Sequence, residues 1–299
     1  MSQSKAETEL QKFFQGLGKG GYKEYANSKP AKAVRDISTP LAVNMLRQMG
    51  LDEKTTTPFN LLDSGAGSGV VTAVLQETIQ PTVLSQSKII SGDIGEHMVE
   101  MVKSRIVEEN WVNAVAQVID AQKIPVESET FTHVTSNISF HVVPDSEGAL
   151  NECIRVLKPG GILGFTTWHR NGAGWVPDIE GAFKSFPFDA PFDMKMQTTR
   201  WGEWSDVNWI RRTLVGKGLQ DVDVAVSSHL SHVNSAAEFV DSIPGMIEVV
   251  MKATWTEELI AAHPIDEVKK LVAAHLEKKY EGQGWDLTWT SIIASGRKP

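Results

Sequence analysis

Apolar and polar positions alternate in blocks along most of the chain. Short apolar runs are separated by longer segments in which apolar residues recur at helical spacing. The runs predict strands at 59–62, 88–91, 115–119, 131–136 and 162–167. The longer segments predict helices at 31–49, 70–78, 96–109 and 146–157. Regular alternation of this kind is typical of a mostly parallel sheet with helices on both faces.

The pattern changes in the second half of the chain. Residues 168–204 are rich in tryptophan, proline and glycine and show little periodicity, which indicates an inserted lid. Strict alternation over 221–227 predicts a sixth strand. The mostly helical stretch 231–284 indicates a second insertion, and it precedes a seventh strand at 287–295.

The first 49 residues form a separate block. Helical periodicity on both sides of a glycine-rich hinge at 16–21 predicts an N-terminal helical cap over 1–49. Together the blocks predict one α/β domain across 1–299, with a Rossmann-like sheet of seven mostly parallel strands and helical lid insertions at 168–204 and 231–284.

Composition narrows the classes of partner. The chain has 299 residues, 41% of them hydrophobic, and a formal net charge of −8. This acidic balance disfavours nucleic acid, because tight binding there depends on Lys and Arg neutralising phosphates. No apolar stretch is long enough for a bilayer, and residues 1–9 lack a signal-peptide core, so no membrane partner is expected. The single cysteine, Cys153, precludes an intrachain disulfide and favours a cytoplasmic location. The oligomeric state stays open.

The segment from Leu61 to Gly69 carries the clearest chemical signal. An apolar strand ends in Asp63, and the loop that follows has glycines at alternate positions, Gly65, Gly67 and Gly69. Glycine tolerates positive φ and lets a ligand approach the backbone closely. Val70 occupies a position where a dinucleotide fingerprint needs glycine, and the Gly-Lys-Ser/Thr ending of a phosphate-binding loop is absent. A nicotinamide oxidoreductase is therefore disfavoured.

Two more acids stand at the ends of later strands. Asp93 follows the second predicted strand, and Asp120 follows the third. Ligands of open α/β sheets bind beyond the carboxyl ends of the strands. We therefore expect Asp63, Asp93 and Asp120 to face one ligand. For Asp120 the alternative is a cap on the turn before Ile124.

The run Asp-x-Gly-x-Gly-x-Gly at 63–69 resembles the first motif of class I methyltransferases, which use S-adenosylmethionine (SAM). Three later stretches are similar to further motifs of that family. These are Ser91-Gly92-Asp93-Ile94-Gly95-Glu96-His97-Met98, Asp120-Ala121-Gln122-Lys123-Ile124-Pro125 and Leu157-Lys158-Pro159-Gly160-Gly161. A narrower resemblance, to fungal small-molecule methyltransferases related to gliotoxin thiol methyltransferases, rests on Trp111-Val112-Asn113-Ala114, the strand at 161–168 and the Gly-Arg-Lys-Pro end.

The resemblance implies SAM as cofactor and an antiparallel last strand. It implies that Asp93 accepts the ribose hydroxyls, that Asp120 accepts from the adenine amino group, and that Asp63 lies beside the amino-acid moiety. Ile94 and Met98 would flank the adenine. The residues expected to bind SAM are Asp63, Gly65, Gly67, Gly69, Asp93, Ile94, Met98, Asp120, Ala121 and Asn137.

Candidate catalytic residues follow the fourth and fifth strands. His141 and His169 come near the expected position of the methyl group, and each could act as a general base or contact the substrate. The alternative is a histidine satisfied by local backbone. An aromatic acceptor pocket is predicted from Tyr22, Trp168, Trp175 and Trp201, with ordinary core packing as the alternative. No metal-ligand set stands out, so no metal is expected.

The functional prediction is methyl transfer from SAM to an O, N or S nucleophile of a small, aromatic or apolar metabolite. The acceptor would be a molecule of secondary metabolism. The alternative is a methyltransferase-like protein that binds SAM without methylating, in a pericyclase-like or regulatory role, because a fold does not fix a function.

Overall fold

The computed structural model describes residues 8, 9, 12, 28–172, 174–193, 197 and 199–299. Most of the predicted helical cap, including Tyr22, lies outside the described residues. Its last helix is present as α1 (Lys29–Gln48). Ser28 caps α1 by accepting a hydrogen bond from the Ala31 amide at 3.2 Å, which satisfies one of the unpaired donors of the first turn.

Seven strands form one sheet in the order β3-β2-β1-β4-β5-β7-β6. Their bounds are β1 (Asn60–Ser64), β2 (Lys88–Asp93), β3 (Ala114–Val118), β4 (Phe131–Asn137), β5 (Leu157–Trp168), β6 (Gln220–Val233) and β7 (Trp285–Arg297). Strands β1 to β5 pair in parallel, whereas β7 lies between β5 and β6 and is antiparallel to both. The expected Rossmann-like sheet with an antiparallel last strand is confirmed.

Helices cover both faces of the sheet. After α1 they are α2 (Val70–Thr78), α3 (Pro81–Leu84), α4 (Glu96–Glu108), α5 (Ser146–Val156), α6 (Val176–Lys184), α7 (Val207–Gly216), α8 (Ala236–Ser242), α9 (Pro244–Thr254), α10 (Glu257–Ala262) and α11 (Ile265–Lys279). Neighbouring strand residues point to opposite faces. Leu61 accordingly joins the core under α1, α2 and α4, whereas Leu62 joins the core under α5 and α7.

Strands β6 and β7 extend past the rest of the sheet. The ladder between β5 and β7 stops at Trp168 and Ser291, but the ladder between β6 and β7 continues to Val233 and Trp285. Four helices, α8 to α11, connect the two strands at this end. They share a third core with α6, and Trp168 at the carboxyl end of β5 packs against it. The insertion therefore lies next to the edge where open α/β sheets bind ligands.

No helix in the described part of the chain combines the length and the apolar character needed to cross a bilayer.

Two predicted strand boundaries are wrong for a common reason. The structure runs β6 on to Val233, beyond the predicted end at 227, although 228–232 has little apolar character. Pairing with β7 holds these residues, as in the hydrogen bond between Ser228 Oγ and Thr290 Oγ1 at 2.9 Å. Likewise β5 begins at Leu157, because the predicted turn is bound to the chain end by hydrogen bonds from Gly160 N to Lys298 O and from Lys298 N to Gly161 O. The hydropathy pattern along the chain contains no information on pairing between distant segments, so it could not predict these two boundaries.

Candidate active site

The glycine loop leaves β1 in a conformation that glycine adopts readily. Gly65, Gly67 and Gly69 have φ values of +75°, +53° and +79°, in the left-handed region. The amides of Gly65 and Ala66 both donate to the Gly92 carbonyl at 2.9 Å, which ties the loop to β2. Apart from its two chain neighbours, no described residue comes within 4 Å of the position that a Cβ on Gly67 would occupy. The loop backbone is therefore accessible at this glycine.

Asp93 joins the glycine loop to the start of α4. Its Oδ2 accepts the Gly67 amide and its Oδ1 accepts the Gly95 amide, both at 2.8 Å. A carboxylate has about four lone-pair sites, so two such bonds leave acceptor capacity for hydroxyl donors. The next residue, Ile94, is 59% exposed. A hydrogen-bonding acid and an apolar surface thus lie side by side, a combination typical of small-molecule sites.

Asp63 is a buried carboxyl, and only one of its two oxygens has a hydrogen-bond partner among the described residues. Its side chain is 1% exposed, and Oδ1 accepts a hydrogen bond from Thr135 Oγ1 at 2.8 Å. Oδ2 is buried and has no hydrogen-bond partner among the described residues. Burial raises the pKa of Asp63 to about 7; the Thr135 bond opposes this rise, and the nearby Asp93 adds to it. An unsatisfied buried acceptor at the carboxyl end of a strand requires an explanation, and a bound cationic donor supplies one.

The third acid, Asp120, is held next to the second. The Ile119 amide donates to the Asp93 carbonyl at 2.9 Å, which aligns the two strand ends. Oδ1 of Asp120 accepts both the backbone and the side-chain N–H groups of Gln122 at 2.9 Å, forming an Asx-turn. Ala121 follows and is half-buried. The structure therefore brings the three predicted acids to one edge of the sheet.

Met98 and Asn137 border the same edge. Met98 is buried in the first turn of α4. Asn137 ends β4, and its Oδ1 accepts from Thr166 Oγ1 at 2.6 Å. Ile138, the next residue, has a φ of +56°, a value that a β-branched residue rarely adopts. Backbone strain of this kind clusters at functional sites.

The two candidate histidines differ in environment. His141 lies in a short 3₁₀ turn at 140–142 and is buried, and its Nδ1 has no hydrogen-bond partner among the described residues. Burial lowers the pKa of His141 to about 4, so the imidazole is neutral near pH 7. His169 follows β5 and is half-buried, and its Nδ1 accepts the Asn171 amide at 3.3 Å. Of the two candidate histidines, His141 is therefore the one with a buried ring nitrogen that no described residue satisfies.

The structure does not bring the predicted aromatic residues into one wall. Trp168 and Trp175 both belong to the core of the helical insertion, and Trp168 packs on Trp289 with ring centroids 5.4 Å apart. Trp201 instead packs against Trp209 at 5.1 Å, in the core under α5 and α7. Trp168 is half-buried at the carboxyl end of β5 and directly precedes His169.

Two residues of the site were missed by sequence reasoning. Thr135 bonds Asp63 from the neighbouring strand, but five of the seven residues of β4 are polar, so its polar character alone gave no signal. Arg105 of α4 donates to the Ser68 carbonyl in the glycine loop at 2.7 Å. Its spacing of four residues from Glu109 indicated an ion pair but not this contact.

Comparison with known proteins agrees with this geometry. Residues 62–165, from β1 into β5, match the family described as a methyltransferase domain. The chain is 28% identical over 266 residues to Methyltransferase tpcH of Aspergillus fumigatus, covering 88% of this chain and 93% of that protein. The chain is a SAM-dependent methyltransferase.

Further similarities are consistent with that assignment. The methyltransferase is 29% identical over 282 residues to acetylaranotin bis-thiomethyltransferase of Aspergillus terreus, covering 93% of this chain and 95% of the relative. It also shares its fold with the crystal structure of the YcgJ protein of Bacillus subtilis. The TM-score is 0.52 at 15% identity, covering 86% of this chain and 97% of the other. The relatives thus include fungal methyltransferases that align over nearly their whole length.

The residues of the methyltransferase fit the chemical groups of SAM. Oδ2 of Asp63, which has no partner among the described residues, can accept a hydrogen bond from a cationic donor. The ammonium group at the amino-acid end of SAM is such a donor. Asp93 has acceptor capacity for ribose hydroxyls, and the exposed Ile94 offers an apolar surface for a flat ring. The open position at Gly67 leaves room for a ligand against the loop. SAM has no phosphate, which agrees with a loop that lacks a phosphate-binding lysine.

Proposed function

We propose that this methyltransferase transfers the SAM methyl group to a nucleophilic O, N or S atom of a small, aromatic or apolar metabolite, and that a thiol is the first acceptor to test. The observation that carries the small-molecule assignment is the helical insertion beside the carboxyl edge of the sheet, with Trp168 of β5 packed against its core. Apolar walls with few polar groups are typical of pockets for small molecules. The relative from Aspergillus terreus is named for methylation of sulfur, which supports testing thiols first.

In this proposal the acids and the glycine loop hold SAM. Asp93 accepts the ribose hydroxyls, Asp120 and Ala121 contact the adenine, and Asp63 faces the cationic end. Gly67 lets the cofactor lie against the backbone, where no described residue except the two chain neighbours of Gly67 fills the space. When bound, SAM supplies a sulfonium methyl group that a nucleophile can displace in line. The protein contributes alignment and exclusion of water, which account for much of the rate in such reactions.

His141 is the proposed acceptor of the proton released by the nucleophile. It is neutral near pH 7 because burial lowers its pKa to about 4, so it can take up a proton but is a weak base. A weak base suits an acidic nucleophile. A thiol, with a pKa of about 8.5, needs less help than a phenol at about 10, and an alcohol needs far more. This ordering supports a thiol acceptor.

The test uses three acceptors with one aromatic skeleton: an aryl thiol, the matching phenol and the matching amine. Formation of methylated product and of S-adenosylhomocysteine is measured for each with SAM in excess. We expect the thiol to react fastest. We also expect His141→Gln to slow the phenol more than the thiol, because near pH 8 a larger share of the thiol is already ionised. A charged, polar thiol is assayed beside these three acceptors, and reaction of that compound alone would contradict an apolar pocket.

A further inference from the structure

Arg105 is a nearly buried cation behind the glycine loop. It lies in the third turn of α4 and is 9% exposed. Glu109, one turn later, accepts from its Nε at 2.7 Å and from its Nη2 at 3.1 Å. The remaining terminal nitrogen, Nη1, donates to the Ser68 carbonyl at 2.7 Å. The fork of the guanidinium thus binds a carboxylate on one side and the loop backbone on the other.

A tryptophan completes this support. The Arg105 guanidinium carbon lies 4.6 Å from the centre of the Trp111 ring, within range of a cation–π contact. Atoms of the same ring lie 3.2 and 3.4 Å from the position that a Cβ on Gly69 would occupy. Trp111 therefore packs on the loop at Gly69 while Arg105 holds the preceding carbonyl. We call Arg105, Glu109 and Trp111 the loop brace.

The brace acts on the part of the loop with the greatest conformational freedom. Ser68 lies between Gly67 and Gly69, both at positive φ, and glycine loses more backbone entropy on ordering than any other residue. On the opposite side, the Gly67 amide is fixed by Asp93. The loop is therefore held from β2 on one side and from α4 on the other, and α4 is the helix that follows Asp93 and Ile94.

We propose that Arg105 is a positioning residue for the cofactor: by fixing the Ser68 carbonyl, it keeps the glycine loop in its ligand-binding conformation before SAM arrives. This inference rests on the proposed assignment of the loop and Asp93 to SAM. A preorganised loop does not have to be ordered during binding, so the ordering cost is removed from the affinity. Lysine cannot replace the arginine fully, because an ammonium lacks the planar fork that binds Glu109 and Ser68 together.

The test compares Arg105→Met and Arg105→Lys with a matched control, Arg211→Met. Arg211 likewise binds backbone through its guanidinium, donating to Val222 O at 3.1 Å and to Val224 O at 3.0 Å, but these carbonyls belong to β6. Three readouts are used: calorimetric affinity for S-adenosylhomocysteine, amide hydrogen exchange of 64–70 in the ligand-free protein, and the KM for SAM against kcat. Thermal unfolding of each variant checks its fold.

We expect Arg105→Met to weaken the affinity for S-adenosylhomocysteine about ten-fold, the scale of one lost hydrogen bond to a charged group. Exchange at 64–70 should speed up, KM for SAM should rise and kcat should stay near that of the native protein. Arg105→Lys should give values between those of the native protein and those of Arg105→Met. If Arg105→Met does not fold, Arg105→Lys alone tests the proposal. Arg211→Met should leave affinity and loop exchange unchanged.

The outcomes separate two failures. If the native protein does not bind S-adenosylhomocysteine, the proposed cofactor site is wrong, and this inference fails with it. If the native protein binds and the folded Arg105 variants bind equally well, with unchanged exchange at 64–70, the positioning role is overturned while the cofactor site stands. Equal losses in the Arg105 and Arg211 variants would also overturn it, since they would reflect a general loss of stability.

Discussion

The buried carboxyl of Asp63 makes the stability of the free protein depend on pH. Its pKa is raised from 3.8 to about 7, chiefly by burial. The folded state therefore holds this proton more tightly than the unfolded state. The stabilising contribution of the protonated form is fully present below about pH 4 and is lost as the pH rises through about 7. A difference of about three pKa units corresponds to about 4 kcal/mol over the whole window.

Asp63→Asn removes this titration while keeping the shape of the side chain. The amide oxygen can still accept from Thr135, which now bonds Oδ1 at 2.8 Å, but the amide nitrogen becomes a buried donor. That donor costs about 1–3 kcal/mol at every pH. Between about pH 5 and about pH 8.5 the native protein should lose about 3 kcal/mol more stability than the variant. The variant should thus gain stability relative to the native protein as the pH rises.

Urea unfolding of both proteins without ligand, at several pH values across this range, measures the effect. Asp36→Asn, which changes an exposed aspartate of α1, controls for the loss of one negative charge. Asp63→Asn should also bind S-adenosylhomocysteine more weakly, since the cationic end of the ligand loses its charged partner. A difference in unfolding free energy that does not change with pH would refute the reasoning about Asp63.

Two further predictions concern the cores around the site. Trp204 is fully buried and stacks on Phe140 with centroids 5.0 Å apart, so Trp204→Ala should lower the unfolding free energy by about 3–5 kcal/mol in urea titrations. Asp178, buried in α6, accepts from Lys279, Tyr280 and Trp285 at 2.5, 2.7 and 2.9 Å. Asp178→Asn should lower the melting temperature at a cost of about 2 kcal/mol, and an unchanged melting temperature would count against a structural role for this cluster.

The sheet could be predicted from the sequence because its signals are local. Apolar runs mark the strands, and parallel order brings the residues after β1, β2 and β3 to one edge, so Asp63, Asp93 and Asp120 could be placed together without coordinates. A turn closed by the Asp120 side chain could also be expected, because aspartate commonly bonds backbone two residues ahead. The features that depend on local sequence, the strands and the acids at their ends, therefore agree closely with the structure.

The remaining features depend on contacts between distant residues. The length of β6 comes from pairing with β7, some 60 positions later, as at Ser228 and Thr290. The separation of Trp201 from Trp168 depends on which core each joins, and composition alone does not report it. Arg105 carries no motif, and only folding brings its side chain to Ser68. Side-chain environment, including the raised pKa of Asp63, is likewise a product of burial.

The most direct test of the central claim is a calorimetric titration of the purified protein with S-adenosylhomocysteine, beside Asp93→Ala and the exposed control Asp36→Ala. Asp93 is decisive because it binds the amides of Gly67 and Gly95 and is the proposed acceptor for the ribose. We expect binding by the native protein and by the control, and a loss of about ten-fold or more in affinity for Asp93→Ala. Absence of binding by the native protein, or equal binding by Asp93→Ala, would contradict the proposed cofactor site.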